Sequence, residues 1–201
     1  LKSKKIFTTC GKTYEYENLI STIPIIDFLM MIDDVPERLL KLTEKLDYLS
    51  MILGLVVINH PVDTDIQRFY SAEKEIVSHK TAINHNSSDY LRKLPRHGVM
   101  LEISTGPEKK LYRDDMNEWI IDSLTELKVI KNSSEIKSLD IKNVKYSYPV
   151  PTHDRNLIID EIKDFLKENN IHTVGRFGEW AYINSDKAIY RGLKLGEELQ
   201  G

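Results

Sequence analysis

Gly175-Arg176-Phe177-Gly178 constrains the fold of this chain more than any other stretch, because only nine glycines occur in 201 residues and two of them bracket this arginine and phenylalanine. Ahead of it lies a short, mostly β-branched run, Ile171 to Val174. Beyond it, Asp186 to Leu199 has helical spacing, and Asn184, Ser185 and Asp186 are residue types that cap helix starts. Glycine lacks Cβ and reaches φ values that other residues avoid. A strand, a glycine turn and a helix in this order therefore bring backbone close to a neighbour. The helix N-terminus adds partial positive charge and unpaired N–H groups, which suit an anion or an electron-rich ring. A tight turn ahead of a last helix is the plainer reading of the same residues.

The rest of the chain alternates short apolar runs with helical periods. Ile6 to Thr9 and Thr13 to Tyr16 flank a glycine turn and predict a hairpin. Asn18 to Ile23 predicts a short strand stopped by Pro24, with a helix over Ile25 to Ile32. Pro36 opens a second helix with Leu39, Leu40, Leu42 and Leu46 inward. Tyr48 to Asn59 reads as a buried strand, followed by strands at Gln67 to Ser71, Val77 to Asn84 and Val99 to Ser104. Asp114 to Lys128 is helical, with Met116, Trp119, Ile120, Ile121, Leu124 and Leu127 on its apolar side. Ile136 to Tyr148 is extended, and Asp154 to Asn169 repeats the helical period.

This pattern predicts a mixed α/β (α+β) chain with α/β character at both ends and a strand-rich middle. The expected boundaries are 1–45 with 149–201 for one domain and 46–148 for the other. A chain that leaves one domain, builds a second and returns would read this way.

Bulk properties exclude several classes. The formal charge of −3 is spread along the chain, so no basic stripe points to nucleic acid or a membrane surface. Cys10 is the only cysteine, which rules out an internal disulfide and fits a reducing, cytoplasmic setting. The longest apolar run, Leu49 to Asn59, is too short to span a bilayer. None of the six histidines pairs at a metal-site spacing, so no metal is expected. Asp33-Asp34 and Asp114-Asp115 sit at helix starts, where capping accounts for them. The first residue is Leu1, and a piece of a longer polypeptide is expected.

Motif order now carries a resemblance. Tyr148-Pro149-Val150-Pro151 leads to Arg155, a helix follows to Asn169, and then come Gly175-Arg176-Phe177-Gly178, Trp180, Tyr182, Asn184 and Asp186. Upstream stand YENLISTIP (16–24) and HGVMLEIS (97–104). The series resembles the FAD-dependent amine oxidase, protoporphyrinogen oxidase and UDP-galactopyranose mutase superfamily, and is most similar to the eukaryotic-type mutases. The likeness covers almost the whole chain. It implies the C-terminal part of such an enzyme, a remnant of an FAD-binding Rossmann-like domain plus a strand-rich substrate domain.

The resemblance also implies roles. Gly175, Arg176, Phe177, Gly178 and Asp186 would line the flavin, with Thr22 and Pro24 on its other side. Tyr148, Tyr182 and Asn184 would contact a sugar diphosphate, and Tyr70 and Lys80 would serve the substrate from the middle domain. The chemistry implied is ring contraction of a nucleotide sugar by reduced flavin, or an oxidase-type hydride transfer; no catalytic residue is singled out. The chain departs from the mutases in carrying Lys80 for an arginine, Ser87 for a tyrosine and Lys187 for a histidine. It also has no G-x-G-x-x-G, the fingerprint that cradles a dinucleotide's pyrophosphate. The expectation is that FAD binds only where a chain or segment carries that half, and that the 201 residues alone are colourless and inactive. Apolar surface on Leu19, Ile20, Ile23, Ile189, Leu193 and Leu195 would then invite self-association or a partner. A flavin-free module that binds a ligand or partner protein is the other class left open.

Overall fold

Pro24 and Pro36 each stand at a helix start, where a φ fixed near −55° is already suited to the helix and a missing N–H costs nothing. They open α1 (Ile25–Met30) and α2 (Glu37–Thr43). The computed structural model describes residues 1, 3–106 and 113–200. Before these helices come β1 (Lys5–Phe7) and β2 (Thr13–Glu15), an antiparallel hairpin closed by Gly11 at φ 79°, and β3 (Leu19–Ser21). The described residues fall into two compact units, 1–48 with 148–201 and 49–147.

In the first unit, β3 pairs in parallel with β9 (Ile171–Thr173), Leu19 opposite Ile171 and Ser21 opposite Thr173. The two short apolar runs from opposite ends of the sequence thus form one small sheet. Helix α5 (Arg155–Glu168) packs on β9 and α2, burying Ile158, Ile159, Ile162 and Leu166. These positions recur every three or four residues and share one helix face. Ile25, Leu29, Leu39 and Trp180 are among the other fully buried side chains of this unit. The last elements are the single turn α6 (Gly175–Gly178) and α7 (Ser185–Gln200). No residue of α7 is buried, and Ile189 and Leu193 are exposed.

The second unit is a five-stranded sheet with strand order β5-β6-β7-β4-β8. Its strands are β4 (Tyr48–Ile58), β5 (Arg68–Tyr70), β6 (Lys80–Ile83), β7 (His97–Thr105) and β8 (Ile136–Pro149). β4 and β7 pair antiparallel from Ser50↔Thr105 to Ile58↔His97. Helix α4 (Arg113–Glu126) covers one sheet face with Met116, Ile120 and Leu124, packed on Ile52, Val56, Val99, Leu101 and Ile103. Gly54 lets it approach: a Cβ there would lie 2.8 Å from Ile120 Cδ1. A 3₁₀ turn (Asn84–Ser87) and α3 (Asp89–Arg92) follow β6.

Some expectations shift. Trp119 is 45% exposed, because the buried face of α4 is the narrower line through Met116, Ile120 and Leu124. The strand expected from Val77 starts only at Lys80, since the Val77 N–H donates to Ser123 Oγ of α4 at 2.8 Å. The capping expected of Asp114 falls outside the described side chains. Among the described residues no helix is long and apolar enough to cross a membrane, and no group of three or more His, Cys, Asp or Glu is placed to hold a metal ion.

Candidate functional site

Parallel strands present ligand sites at their carboxyl ends, and here Thr22 and Pro24 leave β3 while Val174 and Gly175 leave β9. The Val174 N–H donates to Ser21 O at 3.0 Å, carrying the pairing to the last residue before the turn. Gly175 has φ 90°, a conformation strained for any L side chain, and the space where its Cβ would stand is open. Gly178 is glycine for a different reason. A Cβ there would lie 2.9 Å from Ser21 O and 3.5 Å from Thr22 Cα, so its absence lets α6 sit directly on the end of β3. Thr173 Oγ1, at the end of β9, is buried without a hydrogen-bond partner.

A polar clamp fixes this turn. The Arg155 Nε–H donates to Trp180 O at 2.8 Å, and Nη2 donates to Glu179 O. Glu179 is 9% exposed. Its Oε1 accepts from Lys163 Nζ at 3.0 Å, and its Oε2 accepts from the Gly175 N–H and Arg191 Nη1, each at 3.1 Å. One carboxylate thereby ties α5, α6 and α7 together. Burial pushes the Glu179 carboxyl up, but the bonds and charges of Lys163 and Arg191 outweigh it and hold the group below the usual glutamate value. Burial, with Arg191 nearby, lowers the Arg155 guanidinium. Trp180 is 1% exposed, at φ 47°, and donates from Nε1 to Asp47 O at 3.1 Å.

Arg176 lies against two tyrosines. Its Nε–H donates to Ile183 O at 2.8 Å, and its guanidinium carbon stands 5.6 Å from the Tyr148 ring centre and 5.4 Å from that of Tyr182. The two rings are 5.6 Å apart and tilted by 46°. Stacking a guanidinium on aromatic faces keeps the charge while fixing its plane. Next to this cluster, Tyr182, Ile183, Asn184, Asp186, Lys187, Tyr190 and Arg191 line a cleft of about 560 Å³ at the start of α7. Of the residues singled out by sequence, Gly175, Arg176, Tyr148, Tyr182, Asn184 and Asp186 gather in the first unit around this turn. Thr22 and Pro24 lie at the adjoining strand end. Phe177 is half-buried within α6.

Tyr70 and Lys80 belong to the second unit, cross-strand partners on β5 and β6. Lys80 Nζ is 2.5 Å from Glu102 Oε1 on β7, so its charge is already paired.

Glu179, Lys163, Arg191 and Glu102 were not foreseen as site residues. Their side-chain ion pairs join residues 12 or more positions apart, and the local hint was the glutamate abutting the glycine turn.

No family model matches this sequence. Among solved structures, the chain is similar to UDP-galactopyranose mutase in its reduced form, with a TM-score of 0.90 and 21% identity over 100% of this chain and 44% of that one. It is similar to a proposed protoporphyrinogen oxidase from Exiguobacterium sp. 255-15, with a TM-score of 0.71 and 11% identity over 97% of this chain and 43% of that one. A third likeness is to a CLA-producing fatty acid isomerase from P. acnes, with a TM-score of 0.67 and 13% identity over 96% of this chain and 44% of that one. The chain thus spans less than half the length of each of these proteins, and it has the fold of part of UDP-galactopyranose mutase, a mixed α/β architecture shared with these other neighbours.

Proposed function

We propose that this chain is the flavin-lining and substrate-binding part of an FAD-dependent enzyme of the mutase type, acting on a nucleotide sugar. The observation that carries the reading is Arg176, stacked against Tyr148 and Tyr182 beside the carboxyl ends of β3 and β9, in a chain whose whole length aligns with the mutase. The residues fit a planar, electron-rich group. Open space at Gly175 leaves room for close backbone approach, and the partnerless Thr173 Oγ1 leaves one polar atom to satisfy.

In this reading Gly175, Arg176, Phe177, Gly178 and Asp186 line the flavin from one side, and Thr22 and Pro24 from the other. The first N–H groups of α7 favour negative charge on the ring's pyrimidine edge. Tyr148, Tyr182 and Asn184 hold the diphosphate with hydroxyl and amide donors. Bound flavin would supply the nucleophile of a ring contraction or the acceptor of a hydride. An oxidoreductase of the protoporphyrinogen oxidase type is the alternative, favoured by the pairing of Lys80 with Glu102, which removes one free cation from the substrate face.

The pyrophosphate cradle comes from a polypeptide segment carrying G-x-G-x-x-G, because none occurs in these residues. The exposed Ile20, Ile23, Ile189 and Leu193 support docking of such a segment in the first unit. The test is the visible spectrum of the purified 201-residue chain with FAD, recorded with and without the dinucleotide-binding half. Flavin binding must offset an association cost on the order of 4–15 kcal/mol, so a stoichiometric yellow complex should form only with both halves. No complex under either condition would count against a flavin role.

A further inference from the structure

In the second unit the β6–β7 pairing ends at Ile83↔Val99. One residue further along, the Gly98 N–H donates to a side chain, the Nδ1 of His85, at 2.8 Å. Gly98 lets the ring come this close, since a Cβ there would lie 3.3 Å from His85 Cε1. His85 stacks on His97, with ring centres 4.9 Å apart and planes 19° from parallel. His97 is 1% exposed and accepts the Val62 N–H at Nδ1, 3.1 Å away. Its proton therefore sits on Nε2, where it is donated to Arg92 O at 3.1 Å.

Each Nδ1 thus offers a lone pair to one backbone N–H. A proton added to His85 Nδ1 would turn that acceptor into a donor facing the Gly98 N–H, and the bond would be lost. The charged groups around the pair offer no compensation. On α3 the Arg92 guanidinium is itself a cation, bonded to Asp65 Oδ1 and Asn86 O at 3.0 Å each. On the 61–66 segment Asp65 is committed to that pair, and Asp63 is exposed. On β7 the facing group is the His97 ring, preceded by the exposed Arg96. Burial and the neighbouring His97 hold the His85 pKa below the ordinary histidine value. Asn86 binds the same turn to Thr64 O and Ile66 O through Nδ2, at 2.7 and 2.9 Å, and this tether does not titrate.

We propose that His85 is an acid-released latch: it fastens the 3₁₀ turn Asn84–Ser87 to the start of β7, and its protonation frees that edge while Asn86 keeps the turn on the 64–66 segment. His85 is only partly buried, so the protonated ring has a path to solvent. The opening is local, a change at the end of the sheet rather than loss of the fold.

The test is NMR on the isotope-labelled 201-residue chain. At pH 7.5, long-range proton–nitrogen correlations should show both rings with the proton on Nε2. Between pH 7.5 and 5.5 the Gly98 amide should lose exchange protection, corrected for the intrinsic rate, by at least tenfold more than Leu101 in the middle of β7. In His85→Gln, which keeps an acceptor but cannot titrate, that difference should vanish. A proton on His85 Nδ1 at pH 7.5, equal losses at Gly98 and Leu101, or a difference that persists in His85→Gln would each overturn the proposal. Should His85→Gln fail to fold, the wild-type tautomers and the Gly98–Leu101 contrast decide it without the variant.

Discussion

Gly178→Ala tests whether the glycine turn is set by packing. The added methyl would stand 2.9 Å from Ser21 O, where ordinary contact begins at 3.4 Å, so one backbone segment must move by about 0.5 Å. The obstacle is a sheet carbonyl, not the end of a flexible side chain, and such overpacking costs about 1–3 kcal/mol. Alanine's better helix propensity offsets at most about 1 kcal/mol, and less in a single turn, leaving a net loss of up to about 2–3 kcal/mol. Two other glycines serve as controls. Gly175→Ala meets no atom but must hold φ 90°, a strain of about 1–3 kcal/mol. Gly192→Ala, in α7 with open space around it, should stabilise by roughly 0.5–1 kcal/mol. The assay is urea unfolding followed by Trp180 fluorescence in a Trp119→Phe background. Trp180 is buried in the same unit as the turn, and Trp119 is already half-exposed. A Gly178→Ala midpoint equal to wild type, or Gly192→Ala destabilising as much as Gly178→Ala, would refute the packing argument.

Three other outcomes follow from the same geometry. Glu179→Ala removes an acceptor shared by Gly175, Lys163 and Arg191 and should cost about 1–3 kcal/mol in urea unfolding; a loss below a few tenths would show that the clamp is slack. The folded-state carboxyl of Glu179 is depressed, so its contribution is present above the ordinary glutamate value and is lost as pH falls through its folded value. Glu179→Gln should therefore flatten the acid limb of the stability profile. His85 stacks on His97 at 4.9 Å and accepts the Gly98 N–H at Nδ1, and burial with the neighbouring His97 lowers its pKa. Stability should thus be full above pH 6.5 and decline below it, where the unfolded chain takes up the proton first, and a His85→Gln variant that keeps the same decline would contradict this assignment.

The parts of the fold that depend on local pattern were legible in the sequence. Pro24 and Pro36 announced helices, the isoleucine spacing of 158–166 announced α5, and the two short runs that became β3 and β9 fell in the one domain expected from both ends of the chain. Pairings that depend on distant residues were not legible. The glycine at 178 answers to the carbonyl of Ser21, Val77 leaves its strand for the hydroxyl of Ser123, and Lys80 is neutralised by Glu102 from the neighbouring strand. None of these partners is marked by spacing or composition. Asn84–Ser87 and α3 are single turns, too short to leave a periodic signal. In the candidate site, Arg176 and its tyrosines were visible as motif residues, whereas the Glu179 clamp on the Gly175 N–H beside them emerged only from the packed helices.

Amide chemical-shift mapping of the isotope-labelled 201-residue chain with millimolar FAD tests the flavin-lining assignment most directly, because it detects weak contact even where no stoichiometric complex forms. The largest shifts should fall on Gly175, Arg176 and the Asn184–Asp186 amides at the start of α7. They should shrink in Arg176→Ala and be absent with ADP alone, which lacks the ring. Shifts that leave these amides unmoved, or that ADP reproduces in full, would contradict the account.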